Sequence, residues 1–197
     1  MRGSIKLLAG LATLAASCSS GVEAKVICSG HHLHSTPRPE GSCKDVKPAT
    51  FASKGGLTAY VFPVNPSLHA TPDMESRVEV RARDGKVLAT KSFASPKGAN
   101  GYYVVQAQWT RDGQYFVFSL ASSGGHSPWQ APMEVFSVER LGFVKFSAMI
   151  QDAPTLTKRF ALKGDSTVIA TTWTDNNFEK PRRVEVDLKM AVPKVPM

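Results

Sequence analysis

After residue 24 the chain shows short runs in which apolar and polar residues alternate, each closed by Gly, Pro, Asn or Asp, and no stretch keeps a helical period. In Arg77 to Arg83 the residues Val78, Val80 and Ala82 fall on one face and charges on the other; Asp84-Gly85 then turns the chain into Lys86 to Thr90. Tyr103, Val105, Ala107 and Trp109 alternate with Gln106 and Gln108, and Arg183 to Leu188 repeats the pattern. The expected fold is all-β, with antiparallel strands. Glu79, Glu185 and Asp187 are expected on outward, solvated faces.

Three stretches share one layout of aromatic, small, variable, charged and glycine residues: Phe51 to Gly55, Trp109 to Gly113 and Phe160 to Gly164. Each precedes an apolar strand, a polar connection and a second strand with Val-Glu-Val or Met-Glu-Val. Repetition at about fifty residues implies stacked supersecondary units. The repeat bounds are 49–106, 107–158 and 159–197 within a domain of 49–197.

The segment Gln108-Trp109-Thr110-Arg111-Asp112-Gly113-Gln114-Tyr115-Phe116-Val117-Phe118 resembles the turn between the first two strands of β-propeller blades of the Tol-associated and prolyl-oligopeptidase types. That resemblance implies an Asp-Gly turn in which Gly113 takes positive φ. Lys54 and Lys163 stand where the motif has Asp112, so the outer units rest on spacing. Propellers close with four or more blades. Three units therefore imply a partial propeller, a two-layer sandwich, or a homo-oligomer that covers the open edges.

The amino terminus changes the picture from fold to location. Arg2 and Lys6 precede an uncharged run from Leu7 to Ala16 and then small residues, the layout of a signal peptide over 1–24. Leu14 to Cys18 also resembles a lipobox, which would instead lipidate Cys18 and anchor the chain to a membrane. Either route leaves Cys28 and Cys43, which are expected to pair in an oxidising compartment and to close the segment 25–48. A loop of this size contributes about 3 kcal/mol in the chain-entropy account. The expected location is periplasmic or secreted.

Of 24 basic and 16 acidic residues, Arg2, Lys6 and Glu23 leave with the signal, so the mature chain carries +7. The cations are scattered, without the interleaved aromatics of a nucleic-acid surface. An envelope protein or anionic polymer is the expected partner.

Chemistry-bearing residues gather in two places. His31, His32 and His34 form a partial imidazole shell of the kind that takes zinc or copper, although such tracts also occur merely exposed. The stretch Ala121 to Pro132 joins Ser122, Ser123, Gly124, Gly125, His126 and Trp129, a combination of free backbone donors, hydroxyls, an imidazole and a flat ring suited to recognition. By the repeat alignment, Pro63 to Ser76 and Trp173 to Pro181 leave the same end. There is no G-x-S-x-G, H-E-x-x-H, phosphate-cradling glycine loop or C-x-x-C. The expectation is a non-catalytic, cofactor-free binding module of the envelope, with a small metal-binding or hydrolytic protein as the alternative.

Overall fold

A computed structural model describes residues 47–64, 75–96, 100–124, 131–150, 156–173 and 179–192. The segment 1–24 with Cys18, the thiols Cys28 and Cys43, the histidines His31, His32 and His34, and Gly125, His126 and Trp129 lie outside the described residues. Among those described, no helix is long and apolar enough to cross a membrane.

The chain is all-β, built from three antiparallel sheets in sequence order. The first holds β1 (Ala49–Ala52), β2 (Thr58–Val64), β3 (Glu75–Arg81) and β4 (Val87–Ser92). The second holds β5 (Tyr102–Trp109), β6 (Tyr115–Ser122), β7 (Met133–Ser137) and β8 (Gly142–Lys145). The third holds β9 (Leu156–Lys163), β10 (Thr167–Trp173) and β11 (Pro181–Asp187), followed by one helical turn, α1 (Leu188–Ala191). Within each sheet neighbouring strands are consecutive in sequence, so every sheet is a simple meander. The bound drawn at 106/107 cuts through β5, because the aromatic-to-glycine motif marks the end of a sheet's first strand and not its beginning.

The sheets pack as three layers rather than two. Phe116, Phe118, Leu120 and Phe136 of the middle sheet meet Ala59, Val61, Val78 and Val80 of the first. Tyr115, Val117, Met133 and Val135 meet Phe160, Val168, Ala170, Val184 and Val186 of the third. This is why β6 reads as an unbroken run, Tyr-Phe-Val-Phe-Ser-Leu-Ala, instead of alternating: both of its faces are covered. The third sheet alternates because, among the described residues, it buries one face only, as in the pattern iBiBiBi of β10. Polar side chains finish the second seam: the Gln106 amide donates to Phe160 O at 2.9 Å and accepts from Phe160 N at 3.1 Å. It thereby occupies backbone groups on the edge strand β9, as a paired strand would.

The three repeated motifs mark three hairpins, and their turns differ. Gly113 has φ +71°, with Asp112 Oδ1 accepting from Thr110 Oγ1 at 2.7 Å and from Gln114 N at 3.1 Å. In the first sheet the left-handed glycine is Gly56 (φ +83°), one place beyond the aligned Gly55, because β1 runs to Ala52, one place further into the motif than β5, which stops at Trp109. Gly164 (φ +61°) opens its turn.

The outward placement of Glu79 needs correction. It lies on the open face of the first sheet but is only 7% exposed. Arg77 and Arg81 bracket it at 3.1 and 2.5 Å, and their guanidinium groups lie 4.8 and 4.9 Å from the centres of the Phe62 and Tyr60 rings. Alternation assigns a side chain to a face without saying what covers that face. Glu185 and Asp187 are exposed.

Candidate functional site at the long-loop end

The meander gives the stack two unlike ends. One carries only tight turns, 53–57, 82–86, 110–114, 138–141 and 164–166. The other carries 65–74, 93–101, 123–132, 146–155 and 174–180, each seven to ten residues long. Cross-sheet bonds fix the common polarity: Asp112 N donates to Asp165 O at 3.5 Å at the tight end, while Glu75, Gly101 and Ser123 meet at the long end.

Glu75 is the hub of that long end. It opens β3 and is 0% exposed. Its carboxylate accepts from Ser95 N (2.6 Å), Ser95 Oγ (2.7 Å), Gly101 N (2.6 Å) and Ser123 Oγ (2.9 Å). Burial would raise its pKa, but the bonds from Ser95, Ser123 and Gly101 outweigh that and hold the carboxyl below its ordinary range. A Cβ at Gly101 would collide with Phe93 O and the Glu75 carboxylate, so only glycine lets the backbone approach the acid this closely. One carboxylate thus ties the start of β3, the link between the first two sheets and the end of β6.

Of the residues singled out in the sequence, Ser122, Ser123 and Gly124 are described. Ser123 is buried; its N donates to Gly101 O at 2.9 Å and its hydroxyl is engaged with Glu75. That hydroxyl supports the floor of the end rather than presenting itself to a ligand. Ser122 is half-buried, with Oγ accepting from Gly124 N at 3.3 Å. Trp173, also at this end, is half-buried at the close of β10. Nearby, Lys91 Nζ crosses the first seam to Glu134 Oε1 at 2.8 Å, and Glu134 Oε2, also buried, has no partner among the described residues.

No protein-family model matches the chain, and no curated protein does. A solved structure of a prolyl endopeptidase aligns with a TM-score of 0.46 at 11% identity, over 74% of this chain. The aligned region is 20% of that enzyme's chain.

Sequence reasoning missed Glu75, Ser95 and Gly101. Their bonds span 20 to 48 positions, and nothing local distinguishes Glu75 from any acid at the start of a strand. Among the described residues no group of three or more His, Cys, Asp or Glu side chains could hold a metal ion.

Proposed function

We propose that the protein is an exported, non-catalytic binding module of the cell envelope, built on a stack of propeller-like blades, that recognises a protein or polymer with its long-loop end. One observation carries the reading: five connections of seven to ten residues leave one end, while the other has only tight turns. Long connections on a rigid scaffold are where recognition concentrates. The Glu75 knot supplies the rigidity, since a buried carboxylate with four donors cannot move without losing charge-assisted bonds. The engaged hydroxyl of Ser123 argues against a serine nucleophile at this position.

The test uses the mature chain with two probes, isolated peptidoglycan sacculi and detergent-extracted envelope proteins. Trp129, a rigid ring within 123–132, is the natural anchor. Trp129→Ala should leave the melting temperature unchanged and abolish capture. Loss of folding, or capture that survives the change, would move the site away from this end.

A further inference from the structure

The close approach of backbone to acid at Gly101 leaves a chemical liability beside Glu75. Asn100-Gly101 is the single Asn-Gly pair of the chain, and Asn100 is exposed to water. Asparagine is thermolabile because the backbone nitrogen of the next residue can attack its side-chain carbon. Glycine makes that attack easiest, since no side chain hinders the nitrogen and the backbone is free to bring it round. No larger residue fits at 101, where a Cβ would collide with Phe93 O and the Glu75 carboxylate. The fold therefore demands the very neighbour that makes Asn100 labile.

The same contacts restrain the reaction. Gly101 N, the nitrogen that would attack, donates to Glu75 Oε1 at 2.6 Å, and Gly101 O accepts from Ser123 N at 2.9 Å. On one side Asn100 N donates to Ser95 Oγ at 3.2 Å; on the other Tyr102 N donates to Phe93 O at 2.9 Å. The peptide is thus held at both ends and cannot swing its nitrogen onto the Asn100 side chain without leaving Glu75. Charge acts in the same direction. The nitrogen must shed its proton to attack, and a carboxylate against it disfavours a second negative charge in the same place. Burial of Glu75 removes the water that would screen the two.

We propose that Asn100 is a latent deamidation site, kept intact in the folded chain by the Glu75 carboxylate and converted when the bond from Gly101 to that acid opens. In the conversion Gly101 N loses its proton and bonds to Cγ of Asn100, while the bond between Cγ and Nδ2 breaks and ammonia departs with that proton, leaving a succinimide. Water then opens the ring at either carbonyl and gives aspartate or isoaspartate, with no oxidant or reductant involved. Isoaspartate routes the main chain through the side-chain carbon and so lengthens it, and Gly101 is packed too closely to absorb the extra length. Opening of the knot is then recorded as a permanent covalent change in the link between the first two sheets. The proposal holds whether or not the long-loop end binds a partner.

The test incubates residues 25–197 at neutral pH and follows the peptide containing Asn100 by mass spectrometry, with isoaspartate scored separately. Wild type unfolded in urea gives the unprotected rate, which should exceed that of folded wild type by at least ~10-fold, the factor carried by one pKa unit on the attacking nitrogen. Glu75→Gln keeps an oxygen acceptor but removes the charge, and should convert at least ~10-fold faster than wild type while circular dichroism shows it folded. Trp109→Ala weakens the same pair of sheets away from Glu75, and in its folded range should stay within ~2-fold of wild type, because local opening and global stability are separate quantities. Equal acceleration in both variants would trace the reaction to general unfolding and overturn the role of Glu75, as would an unchanged rate in Glu75→Gln. Should Glu75→Gln not fold, wild type decides alone: equal rates folded and in urea, or an Asn100 that survives urea intact, would overturn the latent site.

Discussion

Removing the indole of Trp109 is the most direct test of how the first two sheets hold together. The ring is 8% exposed and belongs to the seam cluster with Val61, Val80, Phe116 and Phe136. Its centre lies 5.3 Å from that of Phe116 and 6.2 Å from that of Phe136, and its Nε1 donates to Phe51 O at 2.8 Å. The residue therefore joins β5 to the end of β1 by packing and by a hydrogen bond. Trp109→Ala should cost about 3–5 kcal/mol, the usual range for deleting a large buried aromatic. For a chain of this size each kcal/mol lowers the melting temperature by roughly 2–4 °C, so a fall of about 6–20 °C is expected. Trp109→Phe separates the two contributions, because it keeps an aromatic ring in the seam and drops the bond. Stranding Phe51 O costs about 1–3 kcal/mol, so this variant should fall between wild type and the alanine form. The assay is urea and thermal unfolding of residues 25–197 followed by circular dichroism. An unchanged midpoint for Trp109→Ala would refute the reasoning about burial; equal losses for Ala and Phe would show that the ring's packing contributes nothing.

Gly113→Val should destabilise more than Gly85→Val, measured by urea midpoint. Both glycines have positive φ, +71° and +85°, which costs a β-branched residue about 1–3 kcal/mol. Only at Gly113 would a Cβ also approach the neighbouring turn, at 3.3 Å from Gly55 N, so equal losses would show that this contact is immaterial. The carboxyl of Glu75 makes an acid-side prediction: its folded pKa lies below the ordinary 4.5, so its stabilisation is present above that value and is lost as pH falls through the folded pKa. Glu75→Gln should lower stability near neutral pH and flatten the decline below about pH 4.5. Parallel acid limbs in the two proteins would remove Glu75 from this role.

Fold class was legible because alternation at Val78 and Val80, and again at Val184 and Val186, reports strands whichever sheets they join. Trp109 and the Asp112-Gly113 turn were legible for a local reason as well, since the turn's chemistry is complete within six residues. The middle sheet was harder to place. Its unbroken apolar run at Tyr115 to Ala121 signals burial on both faces, yet the layer count follows only when that run is set beside alternating runs before and after it. What the residues did not disclose was cooperation at a distance. Glu79 has the alternation of a solvated acid and is nevertheless covered, because Arg77 and Arg81 fold back over Tyr60 and Phe62. Ser123 looked like a hydroxyl offered to a ligand because Glu75, 48 residues earlier in the chain, is invisible to any local window.

The covering of Glu79 bears on how three sheets can stand without a ring. A sheet in a stack is stable when each apolar face has a neighbour, and the terminal members of a stack need outer faces that tolerate water. The first sheet meets that need from its own residues: two aromatic rings, which would otherwise be exposed, are roofed by two guanidinium groups, and the acid between them balances part of the charge. The third sheet meets it differently, with Arg159, Lys163, Arg183 and Glu185 exposed on a twisted surface that retains a hollow. The difference follows from the side chains beneath the charges: Tyr60 and Phe62 give Arg77 and Arg81 rings to lie on, whereas Ile169 and Thr171 of the third sheet offer none, and there Arg183 pairs with Glu185 at 2.8 Å.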